Sequence, residues 1–301
     1  MSQGEQNKLI VTVGTFDGVH KGHQLLLQQL KTEAARLCMT PAVVTFSNHP
    51  LAIIDPTRSP KLLTSPAEHI SLLRNIVNQV IVIDFDSHLR SLTAEQFLLM
   101  LRNDYNVGAL MLGFNNHLGS DHLGYGEELE KIARSLDIVL IEGHELSPCQ
   151  QGRVCSTTIR KLVAEGKISD ATQLLGHPYP ITGTVEHGKA LGRTIGFPTA
   201  NMAIDSKLKL IPPTGVYAGY VNVGDMRHAV MVNIGHRPTV DRPDSPQSIE
   251  AHIIDFDGNI YHQQLTLQLI ERLRPEMRFP SIDALRKQLV ADAQATRAIC
   301  R

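Results

Sequence analysis

The chain has almost no excess of charge and no long apolar run, and each absence argues against a class of partner. Its 301 residues include 29 Lys and Arg against 30 Asp and Glu, for a formal net charge of −1. A balance this even argues against a nucleic-acid or membrane-surface partner, since both usually require a basic excess. No apolar run approaches the roughly 18 residues of a membrane span, and the polar start, Met1 to Lys8, is unlike a signal peptide.

Paired cysteines are also missing. Cys38, Cys149, Cys155 and Cys300 form no C-x-x-C pair, which is the spacing typical of redox and zinc sites. Free thiols in a reducing compartment are the simplest interpretation, so we expect a cytoplasmic protein. Histidine is plentiful, at 14 residues, so metal binding must be weighed wherever histidines cluster.

The first half of the chain alternates short β-branched runs with helical patterns. Strands are predicted at 9–13, 41–46, 79–85, 107–113 and 137–142. Helices are predicted at 22–38, 66–77, 94–105 and 126–136. Strands joined by helix-length crossovers predict an α/β domain with a doubly wound parallel sheet, whose ligand sites lie at the carboxyl ends of strands.

The pattern changes at a glycine- and proline-rich break, 176–180. Short alternating runs follow, at 181–186, 216–223, 228–234, 249–256 and 264–272. A helix is then predicted from Ser281, as N-cap, to about Ala295. Regular short strands with turn residues between them predict a small antiparallel β-barrel or sandwich with a terminal helix. The expected domains are therefore 1–178 and 179–301.

A glycine-rich turn follows the first predicted strand and precedes a helix. Gly14, Phe16, Asp17 and Gly18 lie in the turn, and Gly22 lies where the helix opens. Glycines let the backbone approach a ligand closely, and the free N–H groups and the helix dipole favour an anion. The pattern therefore predicts a phosphate-binding turn.

Two histidines in this turn have more than one interpretation. His20 and His23 are three residues apart, so both rings lie on one face of a first helical turn. Imidazoles there can donate hydrogen bonds to a triphosphate and stabilise the charge that develops during transfer. Together with Asp17 they also supply donors that suit zinc. No third strong ligand lies nearby in sequence, which favours phosphate, while zinc and a structural role stay open.

A second candidate phosphate motif begins the helical pattern after residue 155. The hydroxyls of Ser156 and Thr157 most often cap such a helix. Arg160 lies one turn after Ser156 and offers a bidentate group for pyrophosphate. Both interpretations stay open.

The second domain contains a candidate magnesium site. If the backbone is extended, Thr199 and Asn201 point to the same side. Two neutral oxygen donors suit Mg²⁺ that bridges ATP phosphates, although a turn after proline explains the motif equally well. The loop 183–196 is rich in glycine and carries Lys189, a candidate contact to the nucleotide. Glu250 opens a strand, either as a general base or as an exposed alternating position.

In this order, these motifs resemble the bacterial bifunctional riboflavin kinase/FAD synthetases, a family with an H-x-G-H-type nucleotidyltransferase signature. The similarity extends over nearly the whole chain. Its segments are Gly14 to His23, Thr45 to Pro50, Gly113 to Gly119, Ser156 to Arg160, Leu174 to Gly176, Gly192 to Asn201, Gly215 to Tyr217, Asn233 to Gly235, Arg237 to Thr239, Glu250 to His252, and Leu273 with Arg274.

The resemblance implies two ATP-dependent reactions. The C-terminal domain would phosphorylate riboflavin to FMN, with Glu250 as general base and with Thr199 and Asn201 as ligands of Mg·ATP. The N-terminal domain would join FMN to the α-phosphorus of a second ATP, releasing pyrophosphate and FAD. There His20 and His23 match the histidines that bind the ATP phosphates, and Asn115 matches a polar position of the family.

The remaining correspondences and departures concern the same two sites. Ser156, Thr157 and Arg160 match the family's second phosphate motif. After Gly113 the family pattern carries two later aromatic residues, whereas this chain has Asn116 and Leu118. The departure leaves open a riboflavin kinase with a weak or inactive adenylyltransferase domain. A non-catalytic regulator that binds a flavin or a nucleotide is the alternative from another class.

Overall fold

A computed structural model describes residues 8–113, 116–144, 154–188, 191–236 and 247–301. The chain forms two compact units: Met1–Pro60 with His69–Cys155, and Lys61–Glu68 with Ser156–Arg301. The activity domains expected at 1–178 and 179–301 stay a prediction. Within the described ranges, no helix is long and apolar enough to cross a membrane.

The first unit contains a five-stranded parallel sheet. Its strands are β1 (Leu9–Val13), β2 (Thr40–Phe46), β3 (Gln79–Ile83), β4 (Val107–Gly113) and β5 (Val139–Gly143). Its helices are α1 (Lys21–Leu37), α2 (Pro50–Ile54), α3 (Pro66–Arg74), α4 (Ser87–Ser91), α5 (Ala94–Tyr105) and α6 (Glu127–Ser135), with the first three residues of α3 belonging to the second unit. The strand order β3-β2-β1-β4-β5 confirms the predicted doubly wound fold.

Helices cover both faces of this sheet. Val11 packs on one face with Leu98 of α5, whereas Ile10 packs on the other with Leu27 of α1. All five residues of β1 are buried, which explains why the strand is an unbroken apolar run. The order of strands reverses at β1, with β2 and β3 on one side and β4 and β5 on the other, so the carboxyl ends of β1 and β4 form the expected ligand crevice.

The second unit contains a closed antiparallel barrel in the order β10-β7-β6-β11-β8-β9. Its strands are β6 (Tyr179–Glu186), β7 (Ala200–Ile204), β8 (Gly215–Val223), β9 (Met226–His236), β10 (Gln247–Ile253) and β11 (Gln264–Arg274). Its helices, apart from the start of α3, are α7 (Ser156–Ala164), α8 (Ile168–Leu175), α9 (Leu191–Thr194) and α10 (Ile282–Ile299). The predicted barrel and terminal helix are confirmed, and Ser281 is the N-cap of α10.

An unexpected part of the second unit comes from the first half of the chain. Residues 61–68, called the strap below, lie beside residues 208–210. The N–H of Leu62 donates to Leu208 O at 2.8 Å, and the N–H of Leu210 donates to Leu62 O at 2.8 Å. Leu63 is fully buried. The strap is therefore a structural part of the barrel unit.

A buried ion pair fixes the end of the strap. Lys209 Nζ lies 2.7 Å from Glu68 Oε2, and both side chains are almost inaccessible to solvent. The backbone N–H groups of Ser65 and Thr182 donate to the two carboxylate oxygens at 2.8 and 2.6 Å. Lys209 also donates to Leu63 O. The charges are thus both paired and hydrogen-bonded, as burial requires.

Candidate functional sites

The predicted phosphate-binding turn leaves the carboxyl end of β1 in a strained conformation. The N–H of Gly14 donates to Val44 O at 3.1 Å, which holds the turn against β2. Phe16 and Val19 have φ of 44° and 40°, values that L-residues adopt at a cost of roughly 1–3 kcal/mol each. Both side chains are buried, so their packing holds the backbone in this conformation.

The two histidines meet at the start of α1, as their spacing predicts. His20 is the N-cap, and its Nδ1 accepts a hydrogen bond from the backbone N–H of His23 at 3.4 Å. The two rings stack with centroids 3.6 Å apart and planes 18° apart. His20 is buried, while His23 is partly exposed.

The glycines around these rings serve packing as well as ligand access. A Cβ on Gly22 would lie 3.2 Å from the His20 ring, and one on Gly14 would lie 3.2 Å from the Phe16 ring. The Phe16 ring meets His23 edge-on, with centroids 5.2 Å apart. Larger residues at either glycine would therefore displace the aromatic and imidazole rings.

His23 has an unusual electrostatic environment. Its Nδ1 is buried and has no hydrogen-bond partner within the part of the chain that the structure describes. Burial first, and then the nearby His20 and His69, hold the pKa of His23 well below its ordinary value of 6.5. In the free protein the ring is consequently neutral at pH 7.

His69 is a neighbour of this pair that sequence reasoning missed. It is buried, and its Nε2 lies 3.0 Å from Thr45 Oγ1 at the end of β2. Burial lowers its pKa to about 4, against an opposing effect of Asp17. Because 46 positions separate it from His23, no local spacing rule could have found it.

The zinc alternative gains no support from this arrangement. Across the described ranges, no group of three or more His, Cys, Asp or Glu side chains could hold a metal ion. His20 and His23 stack face to face, whereas zinc ligands point their nitrogens at a common centre. The described geometry therefore favours an anion over zinc.

A cavity of about 550 Å³ opens at the carboxyl ends of the same strands. Three phenylalanines line it: Phe46, Phe85 and Phe97. Phe46 and Phe85 meet edge to face with centroids 5.3 Å apart. Asn48 exchanges two hydrogen bonds of 3.0 Å with the backbone of Phe85 and so holds that ring's loop in place. The size and lining suit a planar organic ligand.

The departures noted after Gly113 lie in this cavity. Asn116 and Leu118 both line it, and Asn116 Nδ2 donates to Val13 O at 2.8 Å. The amide thus ties the loop after β4 to the end of β1. The aromatic lining comes instead from the end of β2 at Phe46, the segment after β3 at Phe85, and α5 at Phe97. Asn115 lies outside the described residues.

Ser156, Thr157 and Arg160 lie at the start of α7 in the second unit. Ser156 and Arg160 are partly buried, and Thr157 is exposed. The i, i+4 spacing places Arg160 one turn after Ser156, as expected. Their role in phosphate binding stays a prediction.

Thr199, Asn201 and Glu250 meet on the barrel. Thr199 Oγ1 donates to Glu250 Oε2 at 3.3 Å, and Glu250 lies directly opposite Asn201 in the β10–β7 ladder. The sequence predicted that Thr199 and Asn201 share a side if the backbone is extended, but β7 (Ala200–Ile204) was absent from the predicted strands. The structure brings all three together.

Asn233 is a further member that the residue-by-residue reasoning did not single out. It lies opposite Glu250 on the other side, in the β10–β9 ladder. Glu250 is therefore flanked by two asparagines across neighbouring strands. Its carboxylate is partly buried, so it is more than an exposed alternating position.

The loop after β6 approaches this group closely. A Cβ on Gly188 would overlap the side-chain amide of Asn201, and a Cβ on Gly192 would overlap the carbonyl of Phe197. Gly188 lets the backbone run directly beside the amide of Asn201, whereas Gly192 lets α9 (Leu191–Thr194) pack against the backbone of Phe197. Lys189, expected to contact the nucleotide, lies outside the described residues. A cavity of about 570 Å³ is lined by Asn201 and Glu186 among others.

Two family models match the chain in succession. The model described as FAD synthetase matches residues 2–158, and the one described as riboflavin kinase matches residues 175–300.

Curated relatives match over nearly the full length. The bifunctional riboflavin kinase/FMN adenylyltransferase of Pseudomonas fluorescens is 34% identical over 296 residues, which is 98% of this chain and 94% of the relative. The protein of the same name from Escherichia coli K12 is 34% identical over 301 residues, which is 99% of this chain and 94% of the relative.

A solved structure shares the whole fold. A crystal structure described as a macrolide-efflux protein from Streptococcus pneumoniae superposes with a TM-score of 0.83 at 30% identity, covering 98% of this chain and 95% of that chain. With both family models and the curated relatives in agreement, the chain belongs to the family of bifunctional riboflavin kinase/FMN adenylyltransferases.

Proposed function

We propose that the two reactions of the family are divided between the two polar groups described above. The Thr199–Asn201–Glu250 group carries out riboflavin phosphorylation, and the His20–His23 turn carries out FMN adenylylation. The observation that supports this most strongly is the Thr199–Glu250 contact opposite Asn201. This contact supports the assignment, because a base and two neutral oxygen ligands close together suit phosphoryl transfer.

For the kinase reaction, Glu250 accepts the proton of the riboflavin 5′-hydroxyl as that oxygen attacks the γ-phosphorus of ATP. FMN forms and ADP leaves. Thr199 and Asn201 are the residues that would hold Mg²⁺, which neutralises phosphate charge when bound. Two neutral ligands fit an ion that keeps most of its water shell. The backbone at Gly188 packs directly against the side-chain amide of Asn201.

For the adenylyltransferase reaction, a phosphate oxygen of FMN attacks the α-phosphorus of ATP, and pyrophosphate leaves. The turn after β1 binds the phosphates through backbone N–H groups and the start of α1. His20 and His23 donate hydrogen bonds to the charge that builds on them. No covalent intermediate on the protein is required, because positioning and charge stabilisation carry such transfers.

The aromatic cavity is the proposed place for the flavin ring of FMN. Phe46 and Phe85 offer an edge-to-face pair beside the turn that binds the nucleotide phosphates. Stacking of a planar ring on such side chains contributes about 1 kcal/mol per ring pair beyond area burial. This lining argues against an inactive adenylyltransferase domain. A cytoplasmic location stays a prediction.

The assignment predicts that the two activities can be removed separately. Glu250→Gln removes the base and should abolish FMN formation from riboflavin, while supplied FMN is still converted to FAD. His23→Ala should lower FAD formation by about a hundredfold or more and leave the kinase reaction intact. Chromatography of riboflavin, FMN and FAD measures both activities in one sample.

Controls separate the assignment of sites from the activity itself. The unaltered protein with Mg·ATP should convert riboflavin to FMN and then FAD, and EDTA in place of Mg²⁺ should stop both steps. If either variant lost both activities while its circular dichroism spectrum matched that of the unaltered protein, the two-site assignment would be wrong. Tight flavin binding without ATP consumption would instead identify a non-catalytic regulator.

A further inference from the structure

His252 follows Glu250 on the same strand of the barrel and takes no part in the reactions proposed above. It lies two positions after Glu250 in β10, so both side chains point to one face of the strand. Their neighbours Ala251 and Ile253 are buried, whereas Glu250 and His252 are only partly buried. His252 is therefore on the face of β10 that carries the proposed kinase group.

The backbone ladder between β10 and β7 stops just before Thr199. Its last pair is Ala200 opposite Ala251. The residue before Thr199 is a proline, which has no N–H to continue the ladder. Other contacts must therefore hold Thr199, a proposed ligand of Mg·ATP, beside Glu250.

The His252 side chain supplies such a contact. Its Nδ1 lies 2.8 Å from the carbonyl oxygen of Pro198. A carbonyl oxygen only accepts, so the hydrogen of this bond is on Nδ1. The imidazole ring also meets the ring of Phe197, with centroids 5.1 Å apart and planes 58° apart, as attractive aromatic pairs do. His252 thus contacts both of the residues that directly precede Thr199.

This contact is better suited to hold the site than the direct bond between Thr199 and Glu250. The direct bond is long, at 3.3 Å, and it competes with the proton that Glu250 accepts from riboflavin. The bond from His252 is shorter, at 2.8 Å, and involves no atom that reacts or binds the metal. It can therefore persist when the substrates bind, and it lies one residue from the Thr199 hydroxyl, where small displacements have large effects on rate.

We propose that His252 is a positioning residue of the kinase reaction, which holds the backbone at Pro198 so that the Thr199 hydroxyl is placed to bind Mg·ATP. This inference rests on the proposed role of Thr199. His252 acts through the Pro198 carbonyl and the Phe197 ring, and it makes no contact with the substrates. Its loss should therefore weaken the use of Mg·ATP and leave the use of riboflavin unchanged.

Two substitutions separate the hydrogen bond from the ring. His252→Asn keeps a donor at the position of Nδ1 and removes the ring, whereas His252→Phe keeps a ring against Phe197 and removes the donor. In riboflavin phosphorylation, His252→Phe should raise KM for Mg·ATP about three- to tenfold, the effect of one lost hydrogen bond, with KM for riboflavin unchanged. His252→Asn should stay within about twofold of the unaltered protein.

His228→Phe is the matched control and should leave both KM values unchanged. His228 also packs against a phenylalanine ring, Phe256, with centroids 5.3 Å apart, but it lies near the start of β9, away from Asn233. Equal KM values for Mg·ATP in His252→Asn and His252→Phe would overturn the proposal. So would a lower kcat with an unchanged KM for Mg·ATP in His252→Phe, since loss of folded protein alone produces that pattern.

NMR of the unaltered protein tests the hydrogen bond without any substitution that could impair folding. In protein labelled with ¹⁵N-histidine at about pH 8, where the imidazole is neutral, the His252 ring should carry its hydrogen on Nδ1. Hydrogen on Nε2 instead would overturn the proposal, because the Pro198 carbonyl would then have no donor in this ring.

Thr199→Ala separates this inference from the proposed site itself. It should raise KM for Mg·ATP at least as much as His252→Phe does. If Thr199→Ala left both kcat and KM normal, the proposed role of Thr199 would fail. If Thr199→Ala raised KM for Mg·ATP but His252→Phe were normal, only the role of His252 would fail.

Discussion

Two histidines with lowered pKa values make the stability of the first unit depend on pH in a way that exposed histidines would not. His69 has a pKa of about 4 in the folded protein against 6.5 ordinarily, and the pKa of His23 is lowered in the same direction. In both cases burial is the largest cause, and an unfolded chain would remove it. Protons therefore bind the unfolded chain first as the pH falls.

Because protons bind the unfolded chain first, the free energy of unfolding should begin to fall well above pH 5. Stability from a neutral His69 is complete above about pH 6.5 and is lost as the pH falls toward 4, by at most roughly 3 kcal/mol. Urea unfolding followed by circular dichroism at pH 7.5, 6 and 4.5 should therefore show a smaller loss for His69→Gln than for the unaltered protein. His88→Gln, which removes an exposed histidine of the same unit, is the matched control. Equal losses of unfolding free energy in all three proteins would show that a neutral His69 does not stabilise the folded protein.

At this scale the sequence predicted what local spacing controls and missed what the fold brings together. The i, i+3 spacing of His20 and His23 was enough to place both rings on one face, and the structure stacks them. The positive φ of Phe16 and Val19 could not be predicted, since glycine is the usual signal for that conformation. His69 was missed because its contacts depend on tertiary packing.

At the scale of elements, hydrophobic periodicity predicted the long strands and helices, but it did not predict the strap. Thr93 and Gln96 have the three-residue spacing of a capping box, and the box forms at the start of α5, because both partners lie within four residues. The five-residue helices α2 and α4 were missed, since one turn carries too little periodic signal. The strap was missed because its partners are distant in sequence, and no local pattern marks residues 61–68 as part of a barrel.

The buried ion pair of the strap predicts a strongly non-additive pair of substitutions. Glu68→Gln or Lys209→Met alone should each lower the free energy of unfolding of the second unit by about 3–5 kcal/mol, because each leaves a buried charge without its partner. The double variant should lose less than the sum of the two. Calorimetry measures the free energies of unfolding, and riboflavin phosphorylation reports whether each variant keeps its function. Strict additivity would show that the two groups do not interact as described.

At the scale of the whole molecule, two reactions in sequence share one chain and one intermediate, FMN. The family models divide the chain at about the place where the local pattern changes, with matches ending at 158 and beginning at 175. Composition alone gave no hint of the substrates. Only the ordered set of motifs did so, because each reaction needs its own group of polar residues.

This organisation predicts that two singly defective variants complement each other. A mixture of Glu250→Gln and His23→Ala should convert riboflavin to FAD after a lag, because FMN made by the second variant reaches the first through solution. Each variant alone should stop at riboflavin or at FMN. The mixture should fail to make FAD only if the Glu250→Gln variant cannot use FMN at the concentration that the other variant produces. Adding FMN at that concentration to the Glu250→Gln variant tests this directly.

The strap also sets an order of events during synthesis. Glu68 and its partner Lys209 are 141 positions apart, and ribosomes add about 5–20 residues per second. Leu63 and Glu68 are thus synthesised roughly 7–30 s before Lys209. Throughout that interval the nascent chain carries an apolar side chain and a carboxylate whose burial site is not yet made. The barrel can close only after most of the chain has left the ribosome.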